Sequence, residues 1–457
     1  TRGNALFLII ILGIGGSFQS GYHITGLSSP SPQFIQRFIN SSWYDRYEEP
    51  PPAQTVTMIW SLIVSMYAVG GLFGAISVKF ISGRLGKKAM ICNSFIAIVA
   101  AGIMLTSKVA KSYEMIIVAR ILYGYSSLGT STHLIYLGEI SPRKIRGMVT
   151  LTSATFGSLG KLFAQFCGLE ILGREELWNI VLCVPAFFSV VHVIVLPFLP
   201  DAPRYLFIEK DDDKACKKAL QSLWGQGDYK QEMDEMLAEQ AAIEAAPPKS
   251  PLQLLRDRTV RWQLITMIST FSFDIFLKAG IPRDKIRYIT LGLGVSEIIT
   301  SISSGLLIEH TGRRPLFWGA YGVMSVSWVL VTVTQTLKDS SYWAPYITAG
   351  LIILFIIFFC GGPTATLNSE IFIQSDRLAA LVLTGIQRWV MFAILGLVFP
   401  FLIFVLFACV CLLACLYTFF ILPETKGKTL LDISEEFKAI TLCGKSFSEK
   451  ERVETKL

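Results

Sequence analysis

Charge is what this sequence has little of: 16% of its 457 residues are charged, against 52% hydrophobic. That balance excludes an ordinary soluble domain, because one water-exposed fold cannot bury so much apolar side chain. The nine cysteines stand singly, with Cys216 and Cys443 in polar segments and the rest in apolar runs, and none forms a CxxC pair. Neither a disulfide framework nor a zinc site is indicated. The net charge of +7 sits in short loops and a central insert rather than on a continuous basic face with interleaved aromatics, so nucleic acid is excluded as a partner. No nucleophile, base and orienting group converge in any loop, which argues against an enzyme, and no cofactor or metal is expected.

What is present is a series of apolar runs. Mean hydropathy is +0.52, and about twelve runs reach the roughly 20 residues that a bilayer-spanning helix needs. Six fit before Leu199, at about 5–26, 57–80, 89–107, 113–135, 148–169 and 177–199. The first carries Gly15, Gly16, Gln19, Gly21 and Tyr22 and has no small-residue cleavage pattern behind it, so it is expected as the first membrane helix rather than a removable signal. The expected organisation is all-α: an N-terminal six-helix bundle at 1–199, a polar helical linker domain at 200–259, a C-terminal six-helix bundle at 260–422 and a polar tail at 423–457. Within the linker, Asp213–Trp224 and Tyr229–Ala246 have helical patterns before Pro247-Pro248 ends the second.

Basic residues set the expected orientation. Arg84, Lys87 and Lys88 follow span 2, Arg143, Lys144 and Arg146 follow span 4, and Arg313 and Arg314 follow span 8, so these loops and both termini are expected to be cytoplasmic. Lys278, Arg283, Lys285 and Arg287 between spans 7 and 8 argue the other way. Asn40-Ser41-Ser42 is an N-glycosylation sequon in the long polar loop from Leu27 to Thr55, which the same topology places outside.

The two halves echo one another. Gly83-Arg84-Leu85-Gly86-Lys87-Lys88 returns as Gly312-Arg313-Arg314-Pro315, and the pair Glu139 and Arg146, seven apart after span 4, returns as Glu370 and Arg377 after span 10. A carboxylate and a guanidinium at a membrane exit are costly unless paired, and such a pair can break and reform as helices rock. Single interfacial charges could equally be snorkelling, but duplication favours a cytoplasmic latch for alternating access.

With Arg120 and Gly124 in span 4, Pro200-Asp201-Ala202-Pro203-Arg204 after span 6, and Pro423-Glu424-Thr425-Lys426-Gly427-Lys428-Thr429 after span 12, these motifs resemble the sugar porters of the major facilitator superfamily. Within them the chain resembles the facilitative glucose transporters, over nearly its whole length. Ala154, Glu297 and the block Ile59–Ser65 are similar to the fructose- and urate-handling class II branch. The resemblance implies two pseudo-symmetric six-helix bundles that rock around a solute held near mid-membrane. It also implies uniport of a hexose, fructose or glucose, at the plasma membrane, with a small-molecule sugar and the lipid bilayer as partners. The implied latch is Arg84, Arg120, Glu139, Arg146, Arg204, Glu309, Arg313, Arg314, Glu370 and Arg377.

A hexose site needs amide, hydroxyl or imidazole groups and an aromatic ring facing a water-filled cavity. The candidates are Gln19, Tyr22 and His23 in span 1, Gln165 in span 5, Glu297 in span 8, Asn368 in span 10, and Arg388 and Trp389 in span 11. Gln and Asn in membrane helices also bond neighbouring helices simply to satisfy themselves. Proton-coupled sugar porters usually carry Asp after the Gly-Tyr of span 1, where this chain has His23, which favours a uniporter. Glu297 in an apolar run needs a partner, and Arg388 is the candidate counter-charge. Span 7, Trp262–Phe276, runs directly into Leu277-Lys278-Ala279-Gly280 without the segment that usually supplies solute contacts and the outer gate. Rival readings are a urate or other organic-anion uniporter, a proton-coupled symporter and a non-transporting sugar receptor.

Overall fold

The computed structural model describes residues 5–26, 31–142, 145–168, 174–245, 250–256, 263–265, 313–336 and 382–390, with scattered positions between 295 and 419. Contacts divide the chain into two compact units, one of Thr1–Ala238 with Pro282–Ile302 and Trp389–Phe399, the other of Glu239–Ile281, Ser303–Arg388 and Pro400–Leu457.

In the first unit, span 1 is two helices, α1 (Ala5–Gly15) and α2 (Ser17–Thr25), broken at Gly16. A further helix, α3 (Ser31–Tyr47), precedes α4 (Ala53–Leu85) and α5 (Lys87–Val109). Span 4 is α6 (Tyr113–Tyr125) and α7 (Leu128–Ile140), and span 5 is α8 (Arg146–Phe166). Span 6 is α9 (Trp178–Cys183) and α10 (Pro185–Val195), where Pro185 starts the second helix because its missing N–H costs nothing at that position. Among the described residues, four stretches, Ala5–Ile24, Ala53–Val78, Lys87–Val109 and Glu175–Phe198, are long and apolar enough to cross a membrane. Phe73, Phe80, Phe95, Phe187 and Ile194 stay exposed along these helices, as a lipid-facing surface requires.

Lipid is as apolar as leucine, so nothing hydrophobic drives these helices together, and close backbone approach must do it. A Cβ on Gly160 of α8 would sit 2.0 Å from the Phe18 carbonyl oxygen of α2, and one on Gly21 of α2 would sit 2.1 Å from that of Gly157. The same device joins α4 to α6, where a Cβ on Gly70 would lie 2.1 Å from the Ile121 oxygen and one on Gly124 2.2 Å from the Tyr67 oxygen.

The segment expected as a loop after span 1 contains α3. Its overall polarity hides a stripe at helical spacing: Ile35 and Ile39 are fully buried and Phe38 packs on Trp178 with ring centroids 5.1 Å apart. Ion pairs fasten it to its neighbours, Arg46 to Glu114 through two bonds of 2.7 and 2.8 Å, Arg37 to Glu175 at 3.1 Å and Lys111 to Asp45 at 3.3 Å. Exposed pairs of this kind contribute about 0.2–1 kcal/mol each, so the buried isoleucines dominate.

Of the linker helices, α11 (Pro203–Ile208) and α12 (Asp213–Trp224) belong to the first unit, which ends within α13 (Lys230–Ala245), and α14 (Pro251–Arg256) belongs to the second. One apolar core runs from Leu8 and Leu12 of α1 through Met90, Tyr136 and Leu137 to Tyr205 and Leu223, so the linker is packed onto the membrane helices. In the second unit, α15 (Arg313–Thr336) is the long described helix, with Trp318 edge-on to Phe419 at 5.5 Å.

Gly160→Ala and Gly124→Ala each force a Cβ into a backbone oxygen, and overpacking of this kind costs about 1–3 kcal/mol. Both variants are expected to lower the thermal unfolding midpoint of the purified protein. Gly102→Ala, whose Cβ meets nothing within 4 Å, is expected to leave the midpoint unchanged or raise it.

Candidate functional site

Buried polar groups of the first unit gather around α2, α4 and α6. Arg120, 3% exposed, donates from Nε to the Ile63 carbonyl and from Nη1 to the His23 carbonyl, each at 3.3 Å, and its guanidinium lies 4.7 Å from the Tyr67 ring centroid. Two carbonyl dipoles and an aromatic face together stabilise a cation that hydrocarbon would otherwise exclude. His23 stacks on Tyr123 with centroids 3.9 Å apart, and Tyr67 in turn meets Trp389 at 5.5 Å, edge to face. Trp389 also rests on Gly71, where a Cβ would fall 2.3 Å from the indole ring.

The expected site residues separate into distinct environments. Gln19 donates from Nε2 to Ser189 Oγ at 2.7 Å, and Tyr22 donates from its hydroxyl to the Val181 carbonyl at 2.5 Å. Both therefore join span 1 to span 6. His23 and Gln165 are different: among the described residues, neither ring nitrogen of the buried His23 has a hydrogen-bond partner, nor has Oε1 of the buried Gln165. Buried polar atoms normally have a partner, so His23 and Gln165 keep unused hydrogen-bonding capacity among the described residues. Arg388 is half-buried. Glu297 and Asn368 lie outside the described residues.

Arg120 does not stand with the latch. It is six residues from Glu114, which α3 clamps, and about 28 Å along the helical segments from Glu139 at 1.5 Å per residue. Of the residues expected as a latch, Glu139 and Arg204 stand at the far end of α7. Asp201 Oδ1 accepts the Lys87 backbone N–H at 3.2 Å, Tyr136 donates to the Pro200 carbonyl at 2.7 Å and Trp224 Nε1 donates to the Ile140 carbonyl at 3.0 Å. Gly86 holds φ +56° at the turn before α5, where a Cβ would strike the Tyr205 ring at 2.7 Å. Glu139 and the buried Arg204 line one cleft of about 90 Å³ with Trp224, Tyr229, Glu232 and Glu235. Arg84, Arg146, Arg313 and Arg314 fall at helix ends whose side chains are outside the description, and Glu309, Glu370 and Arg377 lie outside the described residues.

Among the described residues, three histidines are buried. Besides His23, His133 Nδ1 is paired with Ser17 Oγ at 2.9 Å and His192 Nδ1 with Ser94 Oγ at 2.7 Å. Sequence reasoning passed over both pairs and over Tyr67 and Tyr123. A histidine inside an apolar run, and an aromatic three residues after a membrane arginine, are the signals that point to them. Among the described residues, no three His, Cys, Asp or Glu side chains converge on a metal-sized site.

The helix arrangement is that of the major facilitator sugar porters: 96% of the chain superposes on a proton:xylose symporter, XylE, bound to 6-bromo-6-deoxy-D-glucose, with TM-score 0.77 at 17% identity over 99% of that chain. The family described as "Sugar (and other) transporter" matches residues 8–437. The chain is 40% identical over 450 residues to mouse "Solute carrier family 2, facilitated glucose transporter member 9", covering 93% of this chain and 84% of that protein. Human member 11 is 37% identical over 459 residues, covering 94% and 92%, and rat member 5 is 35% identical over 468 residues, covering 96% and 93%. The chain belongs to this family of multi-pass membrane transporters, which are not enzymes, among the facilitated glucose transporters of solute carrier family 2.

Asp201→Ala removes the acceptor for the first N–H of α5, and loss of such a cap costs about 0.5–2 kcal/mol. A lowered thermal midpoint is expected for it, with Asp201→Asn, which keeps an oxygen acceptor, close to the parent protein.

Proposed function

We propose that this protein is a facilitative uniporter of a hexose, fructose or glucose, working by alternating access in the plasma membrane with both termini cytoplasmic. The observation that carries the reading is the pairing of family membership with buried hydrogen-bonding atoms, on His23 and Gln165, that have no partner among the described residues. Groups of this kind exchange bonds with sugar hydroxyls, while the rings of Tyr123, Tyr67 and Trp389 supply the apolar faces a pyranose needs.

Within that reading, Gln19 and Tyr22 position span 1 through their bonds to span 6, and Arg388, Glu297 and Asn368 complete the solute contacts from the C-terminal half. Glu139 and Arg204 belong to the cytoplasmic latch together with Arg84, Arg146 and their second-half counterparts Glu309, Arg313, Arg314, Glu370 and Arg377. The exposed Asn40 on α3 carries the glycan. Residues 1–199 and 260–422 act as the two rocking bundles, joined by the 200–259 linker.

Uptake of labelled fructose, glucose and urate into proteoliposomes, at two external pH values and zero membrane potential, tests the assignment. Saturable hexose uptake that is the same at both pH values and stops at equal concentrations is expected. Uptake that follows a proton gradient, or urate in place of hexose, would overturn it. Loss of a buried hydrogen bond costs about 1–3 kcal/mol, so Gln165→Leu is expected to raise KM for hexose roughly tenfold with surface expression retained.

A further inference from the structure

The linker domain holds three sulfur atoms at one point. Cys216, on the second turn of α12, has its Sγ 3.7 Å from Met233 Sδ and 3.8 Å from Met236 Sδ, both on α13. Methionines three apart share a helix face, so α13 aims both thioethers at the thiol. The turn between the helices is fixed independently: Asp212 Oδ1 accepts the Ala215 N–H at 3.0 Å, Gly225 holds φ +85°, and the Tyr229 hydroxyl donates to the Gly225 carbonyl.

We propose that Cys216, Met233 and Met236 form a three-sulfur site for a soft monovalent ion, copper(I). A thiolate bonds a d10 ion at about 2.3 Å, and three sulfurs arranged trigonally at that length stand about 4.0 Å apart, close to the separations Cys216 makes with both methionines. Thiolate and thioether ligands select copper(I) over harder ions.

Charge decides the oxidation state. The cluster is enclosed by Phe207 and Leu220, with Leu206 and Ile208 packed against it, and Cys216 is fully buried. One thiolate with a monovalent cation leaves no net charge in that core, whereas a divalent ion would leave one uncompensated. Binding replaces the Cys216 S–H bond by an S–metal bond and releases the proton to water. Because the bound form is the thiolate, uptake of the ion tightens as pH rises. Met236 also lines the cleft that carries Glu139, Glu232 and Glu235 with Arg204, and three carboxylates against one guanidinium concentrate cations on that side of the site.

The test titrates the purified full-length protein with copper(I), without oxygen, against a chromogenic copper(I) chelator. It compares the parent protein with Cys216→Ser and with the double variant Met233→Leu, Met236→Leu, which keeps side-chain volume. Each variant is expected to lose one tightly held equivalent, and the parent's copper K-edge spectrum to fit three sulfurs at about 2.3 Å. The thermal midpoint without metal shows whether each variant is folded, and the double variant decides if Cys216→Ser is not. An unchanged stoichiometry in the folded double variant, a two-coordinate or nitrogen- and oxygen-containing spectrum, or equal affinity for zinc overturns the site.

Discussion

The approach of two helix backbones at glycine is the constraint on which the rest of the first unit depends. Water supplies no force to press helices together inside hydrocarbon, so association must come from van der Waals contact over short distances and from a few internal hydrogen bonds. Gly21 and Gly160 bring α2 onto α8, and Gly70 and Gly124 bring α4 onto α6. The polar cluster around Arg120 is placed by these two contacts. His23 is two residues past Gly21, while Tyr123 and Arg120 flank Gly124 by one residue and by four.

Given that placement, a buried guanidinium becomes tolerable. Arg120 needs acceptors that do not move, and the Ile63 and His23 carbonyls meet that need because α4 and α2 are already locked to their partners. The cation in turn holds the His23 backbone beside the Tyr123 ring. At the opposite end, the Pro200–Arg204 segment ties the turn between α4 and α5 to the end of α7, using Asp201 for a backbone amide and Arg204 beside Glu139. Polar chemistry in the middle and charged chemistry at the exit are thus carried by the same few helices.

Much of this was legible in the residues. The linker helices stand where their patterns put them, because a helix packed on one side and wet on the other must alternate in the way Asp213–Trp224 does. The motifs of the family were equally plain, and family membership agrees with them. Three features were not legible. α3 mixes its apolar residues with polar and charged ones along its whole length, so that its composition resembles a loop, and the Ile35, Phe38, Ile39 spacing betrays it. Depth in the membrane is not written in a motif, so Arg120 was grouped with charges about 28 Å away by helical rise. Whether a buried amide serves a solute or a neighbouring helix depends on tertiary partners, and Gln19 and Gln165 differ in that respect although both are glutamines in apolar runs.

A transporter that alternates one solute site between two faces must exchange what it carries, and counterflow measures this directly. Proteoliposomes preloaded with unlabelled fructose or glucose are diluted into a trace of the same labelled sugar. The account predicts that label rises inside above its outside concentration, passes through a maximum and then decays as the unlabelled gradient collapses. Label that rises only to equality at the rate seen in empty vesicles, or does not enter, would contradict a site alternately open to the two sides.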